Sequence, residues 1–484
     1  MSTGRKVGAV AVALMGFLGL AALGPASAQP TPYRPATSAA AAINPTPEQA
    51  ALLRRALDNA HVHGFPAGAF APRGGDNGAL VAATLRYAKA VRTGRLPESG
   101  FRQDWGLRPA AYDPAPGLAQ AVANNRVQAW LNSLPPPYTG YQTLQKGLAQ
   151  YREIRDAGGW TPLANVDLKP GATGPLVEAL RERLAVEDPA VPEVTRVAPA
   201  GSPPGTAPTV AVYDGALADA VRRAQRRFGY QPTGVLTAGV RAQLNVPVQQ
   251  RIEQILANME RWRWLPQSLP EHRVQVNIAD AKLTVFEGDQ PTMSMRAVTG
   301  KPGSETPMLR STIHSIVLNP PWNVPAGIAR NELLPKGRGY LAANGFRILP
   351  GGMLQQAPGP GSALGLIKFD FQNPYAVYLH DTPSKGRFAS YSRLASHGCV
   401  RLEKPLALAR HILAGDPYWT PEQIDATIAS GKTTRADVQR PVDVFLLYWT
   451  AYVTPDGQVN FRADPYGWDG QLMQRIAAAG GAVA

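Results

Sequence analysis

Ser396-His397-Gly398-Cys399-Val400-Arg401-Leu402 holds the only cysteine among 484 residues. A lone thiol cannot close an intramolecular disulfide or build a multi-cysteine zinc site. It stands between a glycine and an apolar residue, with a histidine two positions before it. Upstream, Tyr378-Leu379-His380-Asp381-Thr382-Pro383 supplies a second imidazole. One thiol with histidine partners reads as a thiolate nucleophile and its base. The competing reading is a buried free cysteine acting as a small hydrophobe.

The chain carries 49 basic and 35 acidic residues, a net charge of +14. The excess is spread along the chain and no nucleic-acid motif occurs. Affinity for an anionic surface or polymer such as cell wall is expected, and a nucleic-acid partner is not. Residues 1–28 read as an export signal: Arg5 and Lys6, an apolar stretch from Val7 to Leu23, then Ala26-Ser27-Ala28 as a small-residue cleavage pattern. An uncleaved anchor is the alternative, since the apolar stretch approaches spanning length. No other segment reads as membrane-spanning, so the expectation is a periplasmic protein with no integral membrane segment after signal cleavage. An exported chain with a single cysteine avoids accidental disulfides, which makes Cys399 more pointed.

The expected organisation is a multidomain α+β chain. Residues 29–45, rich in Pro, Ala, Ser and Thr, read as a disordered leader. Residues 46–159 read as a helical block, with apolar spacing of three and four over 51–57, 80–91, 118–134 and 141–154. His61 and His63 lie two apart, face away from each other on a helix, and read as loop or solvent groups. Residues 160–246 carry three short helices punctuated by Gly171, Gly174, Gly229 and Gly234, around a Pro-rich insert over 188–208. Residues 247–270 form a linker helix with an apolar stripe through Ile252, Ile255, Leu256, Met259 and Trp262. The period then changes to two. Short strands are expected around Val274–Ile278, Leu283–Val285, 293–297, 313–318 and 376–379, forming a sandwich or barrel-like sheet. Helices return over 406–413 and 421–430, and 442–453 reads as a final strand pair. The mainly β domain is expected to span 271–457, with 458–484 as a C-terminal tail.

The segment from about His272 to Gly457 resembles the L,D-transpeptidase catalytic domain. The resemblance rests on His380, fifteen intervening residues, and Ser-His-Gly-Cys-Val-Arg ending at Arg401. Asn319-Pro320-Pro321-Trp322-Asn323-Val324-Pro325, Glu332-Leu333-Leu334-Pro335-Lys336 and Ala363-Leu364-Gly365-Leu366-Ile367-Lys368-Phe369 strengthen it. They point to the larger periplasmic members, which join a helical scaffold, a peptidoglycan-binding domain and the catalytic domain. Residues 160–246 likewise resemble a small three-helix peptidoglycan-binding domain. The stretch 337–362, where such enzymes carry a substrate-capping subdomain, reads as short.

A free thiol has a pKa of about 8.5, so a neighbouring imidazole is expected to raise its thiolate fraction. His380 is expected to end a strand and act as base. The resemblance implies that the Asp381 carbonyl fixes its tautomer, while the Asp381 side chain is structural. Ser396 and Gly398 border the nucleophile, and Gly398 permits close approach of substrate. Backbone amides near Cys399 are candidates to stabilise an oxyanion. His397, two residues from Cys399, would share its strand face; it is the rival to His380 as base and is assigned to lining the site and stabilising charge. Arg401 either holds a stem carboxylate or forms a structural ion pair. Trp322 and Tyr378 are either site walls or core, and His314 and His411 are structural. The resemblance implies attack by Cys399 on the carbonyl between the diaminopimelate-type third residue and the terminal D-alanine of a donor tetrapeptide. An acceptor stem amine then resolves the thioester as a 3-3 crosslink, without metal or other cofactor, and carbapenems acylate the same thiol. Water or a lipoprotein lysine are alternative acceptors. A non-catalytic wall-binding scaffold is the reading from another class.

Overall fold

The computed structural model describes residues 43–193, 195–197 and 209–480. The export signal over 1–28, most of the leader over 29–45 and much of the Pro-rich insert lie outside the described residues. Ile43, assigned to the leader, is buried. No described helix is long and apolar enough to cross a membrane.

The N-terminal block is helical: α1 Pro47–Asp58, α2 Asn77–Thr93, α3 Ala115–Ala123, α4 Val127–Ser133 and α5 Thr139–Asp156. Thr46 and Gln49 form a reciprocal capping box on α1, and Asp76 caps α2. The helix expected over 118–134 is broken in two. Asn125 sits at φ +52°, a left-handed conformation that asparagine tolerates and a helix interior does not. His63 is no solvent group. Its ring stacks on Tyr141 with centroids 6.1 Å apart, and burial, with the Arg263 charge, pushes its pKa down to about 3.

The next unit holds the three expected helices, α6 Pro175–Ala185, α7 Gly215–Arg227 and α8 Ala238–Leu244, with a small ladder of β1 Arg196–Val197 against β2 Val210–Ala211. It is fastened to α5 by buried Glu187, which accepts from the Tyr151 hydroxyl and pairs with Arg183 at 2.7 Å and Arg227 at 2.8 Å. Burial alone would raise the Glu187 pKa; Arg227 and Arg183 overcome it and bring it to about 2. Helix α9, Val248–Trp262, is buried along most of its length. Its packing joins the halves as its stripe predicts.

The mainly β part is a closed barrel. Its strands are β3 His272–Asn277, β4 Lys282–Glu287, β5 Gln290–Gly300, β6 Leu309–Leu318, β10 Ile367–Phe371, β11 Leu379–His380, β13 Val400–Leu402 and β14 Thr434–Leu447. Their order is β5-β13-β11-β10-β6-β14-β3-β4, and β4 pairs back to β5. Strand β12, Leu394–Ser396, hangs from β5. Val274, Val276, Leu283, Ile313, Ile316, Phe369, Leu379 and Val400 are fully buried in one core. The barrel-like expectation therefore holds over the sandwich. Two strand expectations do not. Ala376 sits at φ +54°, so the strand expected over 376–379 shrinks to Leu379–His380. The pair expected over 442–453 is one long strand, β14, followed by a separate hairpin of β15 Ala451–Val453 and β16 Val459–Phe461. Helices α11 Pro405–Ile412 and α12 Pro421–Ala429 lie where expected.

Residues 458–480 are part of the packed fold and not a tail. They hold β16 and α13, Trp468–Ala478. Trp468, Leu472 and Ile476 recur at helical spacing and are fully buried. Asp469 receives Arg261 of α9 at 2.5 Å.

A cap interrupts the barrel between β6 and β10. It contains β7 Trp322–Asn323, a helical turn region, α10 Gly337–Ala343, β8 Phe346–Ile348 and β9 Leu354–Gln356. Its sheet runs β7-β9-β8 over a separate core of Val324, Ala329, Leu333, Leu341 and Leu354. It starts at Trp322, so it is larger than the 337–362 stretch suggests. Strands of two and three residues leave no period to read.

Candidate functional site

The site begins with the parallel pairing of β11 and β13, where Leu379 faces Val400 and His380 faces Arg401. Leu379 and Val400 enter the core. By alternation Tyr378, His380, Cys399 and Arg401 take the other face. The Val400 amide donates to the Tyr378 carbonyl at 3.1 Å, which sets Cys399 beside Tyr378.

Cys399 ends a bend. Gly398 lies at φ +110°, a conformation that favours glycine. Its carbonyl accepts from Thr306 Oγ1 at 2.8 Å, and its amide donates to Ser396 Oγ at 3.1 Å. Ser396 Oγ donates in turn to the Cys399 carbonyl at 2.6 Å. Ser396 is thus buried and engaged with the loop backbone. The Cys399 amide makes no hydrogen bond among the described residues.

His380 is buried, and its Nδ1 donates to the Asp381 carbonyl. A carbonyl only accepts, so Nδ1 carries the proton and Nε2 keeps its lone pair. Burial and the Arg401 charge push the His380 pKa down to about 3. The Asp381 carboxylate accepts from the Leu366 amide at 2.9 Å, the Thr382 amide at 2.7 Å and Lys385 Nζ at 2.5 Å.

Burial pushes the Cys399 thiol up, against hydrogen bonds from the Tyr378 backbone and hydroxyl and the Lys368 and Arg401 charges. Its Sγ lies 3.9 Å from the Ala376 carbonyl, and among the described residues no hydrogen bond joins it to His380. Burial disfavours the charged form of both groups, which favours a neutral thiol beside a neutral imidazole.

Tyr378 is a wall of this site: its hydroxyl meets both Cys399 and Trp322, and burial, then the sulfur, raises its pKa. Trp322 also packs on the cap core. Arg401 forms no ion pair among the described residues, and its buried Nε has no hydrogen-bond partner. Lys368, unassigned in the sequence, stands 4.5 Å from the Tyr378 ring centroid.

His397 does not share the face of Cys399. Residues 397–399 are a bend between β12 and β13, which pair with opposite sides of β5. His397 turns outward, and its Nε2 meets Glu332 Oε1 of the cap at 2.8 Å. Glu332 was legible as the only acidic residue between Glu305 and Asp370. His411 meets Glu287 at 3.2 Å, and His314 meets Arg435 at 3.4 Å; both lie outside the site. No group of three or more His, Cys, Asp or Glu arranged for a metal occurs among the described residues.

Comparison with known proteins follows the same division. Residues 271–420 match the L,D-transpeptidase catalytic domain, 78–148 the Scaffold domain, and 196–244 a family described as "Putative peptidoglycan binding domain". A Haemophilus influenzae protein named "Putative L,D-transpeptidase" is 34% identical over 243 residues, covering 46% of this chain and 49% of that protein. The match thus spans about half the length of that curated relative. An L,D-transpeptidase structure from Mycobacterium smegmatis aligns at 17% identity and TM-score 0.21, over 37% of this chain and 58% of that one. One from Stackebrandtia nassauensis aligns at 14% and 0.22, over 59% and 97%.

Proposed function

We propose, from the match of residues 271–420 to the L,D-transpeptidase catalytic domain, that this chain is an exported, periplasmic enzyme that forms 3-3 peptidoglycan crosslinks through a Cys399 thioester. The observation that carries the reading is His380, a neutral imidazole of fixed tautomer on the strand beside the thiol.

His380 Nε2 takes the thiol proton as Sγ attacks the carbonyl before the terminal D-alanine of a donor tetrapeptide. A neutral base is required for that step, and the depressed His380 pKa keeps it available. The tetrahedral oxyanion faces the unengaged Cys399 amide. His380 returns the proton to the leaving D-alanine nitrogen, and a thioester remains. The acceptor stem's side-chain amine attacks it, gives a proton to His380, and the thiol is re-protonated as the amide forms. Arg401, with no carboxylate partner, suits a stem carboxylate, and Tyr378 and Trp322 border the acyl group. Residues 160–246 supply wall affinity. The signal over 1–28 supplies export.

The thioester also serves a carboxypeptidase or lipoprotein attachment, which differ only in the acceptor. Mass spectrometry of muropeptides incubated with the protein separates these outcomes. Crosslinked dimers with released D-alanine are expected. Tripeptides alone mean that water is the acceptor, and no thioester leaves a wall-binding scaffold.

A further inference from the structure

The cap exposes four large apolar side chains within residues 334–353: Leu334, Tyr340, Ile348 and Met353, with Ile348 the most open at 61%. Arg330, Lys336, Arg338 and Arg347 of the cap are also exposed. The one acid of the cap, Glu332, is engaged by His397. None of the four cations has a carboxylate partner among the described residues: Arg347 donates to Gln355, and Lys336 lies 4.6 Å over the Tyr340 ring. Ile348 and Met353 flank the tip of the β8–β9 hairpin. The turn is closed by the Leu349 amide on the Met353 carbonyl at 2.8 Å, with Gly351 and Gly352 at φ +89° and +82°. The tip is therefore a defined loop that presents apolar side chains outward.

We propose that this face of the cap docks on an anionic phospholipid surface, with the Ile348–Met353 tip entering the interface and the four cations meeting headgroups. Charge complementarity selects the sign of the partner. The form of the patch selects the class. An apolar hairpin tip, an exposed tyrosine with Lys336 over its ring and further exposed cations on the cap suit a shallow lipid interface, which needs no matching groove. A hydrophilic wall polymer offers Ile348 and Met353 no apolar contact. The proposal goes beyond the crosslinking activity and does not depend on it. It would set the entrance to Cys399 on the membrane side of the wall.

The test uses the chain from Gln29 onward, which keeps every described residue and removes the apolar stretch over 7–23. Co-sedimentation is measured with vesicles of phosphatidylglycerol in phosphatidylcholine, with phosphatidylcholine alone, and with purified sacculi. Binding to the anionic vesicles is expected, with about tenfold or greater loss on phosphatidylcholine and a further fall in high salt. Ile348→Ser with Met353→Ser is expected to weaken anionic-vesicle binding about tenfold, and Arg338→Glu with Arg347→Glu to reduce it to the phosphatidylcholine level. Iodoacetamide labelling of Cys399 should be unchanged in both, which reports an intact fold. Failure of the unaltered chain to bind anionic vesicles overturns the proposal. So does unchanged vesicle binding by the hairpin variant. Loss confined to sacculi in the charge variant would assign the patch to an acidic wall polymer instead.

Discussion

The barrel edge and the cap both face the thiol, but one is held by a large core and the other by a small one. At the edge, Tyr378, His380, Cys399 and Arg401 alternate with Leu379 and Val400, which are fully buried in the main core. Their backbones are fixed by strand pairing on both sides. The cap packs on five buried side chains. It meets the catalytic loop through the Trp322 contact with Tyr378 and through Glu332 with His397. Chemistry that needs fixed geometry sits on the stiff part. The cap, with its smaller core, is the part that opens at lower cost.

The largest effect belongs to the nucleophile. Cys399→Ser is expected to leave thermal unfolding nearly unchanged and crosslinking undetectable, because a hydroxyl is a far weaker acid than a thiol at the same site. A carbapenem should add one adduct to the unaltered chain and none to Cys399→Ala, read by intact mass. Crosslinking that survives in Cys399→Ser would place the chemistry elsewhere than the barrel edge.

His380→Ala comes next, with acylation expected to fall by about 10²–10⁴. The pH dependence is distinctive because burial raises the thiol and lowers the imidazole. Alkylation of Cys399 should climb only as pH passes the ordinary cysteine range. A plateau beginning below pH about 7 would instead show a thiolate–imidazolium pair. Stability carries a related sign. His380 and His63 have folded values of about 3, below the unfolded value near 6.5, so the fold binds fewer protons than the unfolded chain between them. Their contribution is full above pH about 6.5 and falls as pH drops toward 3, by up to about 1.4 kcal/mol per unit for each group. Urea midpoints at pH 7 and 5 measure it.

Leu354→Ala tests the cap's own core. It removes a buried side chain from a cluster of five, at a cost of about 2–5 kcal/mol. Hydrogen exchange should accelerate across 322–356 while the amides of β6 and β14 keep their protection. Equal acceleration in both regions would make cap and barrel one cooperative unit.

The same contrast governs what the sequence could show. Long strands with a period of two made the barrel readable, and a histidine and cysteine at fixed separation marked its candidate nucleophile. The capped helices α1 and α2 were equally plain. The cap was not, since its strands are two and three residues long and its register depends on Pro and Gly turns. Residues 458–480 depart from the expected tail because Trp468, Leu472 and Ile476 carry a helical period directly after a β region. His397 departs from the face rule because that rule assumes a continuous strand, and Gly398 at positive φ breaks it. The resting protonation of Cys399 and His380 depends on burial, which local pattern does not report.

The smallest effect, and the finest test of the comparison, lies at Glu332. Its pair with His397 is partly exposed, with side chains 45% and 34% accessible, so it contributes about 0.2–1 kcal/mol to holding the cap. Glu332→Ala should speed exchange across the cap about two- to fivefold and lower crosslinking by a similar factor. Glu332→Gln, which keeps an acceptor for His397, should fall between. His397→Ala should match Glu332→Ala, and the double variant should add little, because both single changes remove one contact. The prediction is measured by a double-mutant cycle on crosslinking rate, with cap exchange as the structural readout. If His397→Ala costs about 100-fold or more while Glu332→Ala costs a few-fold, His397 acts on the reacting atoms as well as on the cap. The division between a stiff catalytic edge and a loosely clasped cap would then fail at that residue.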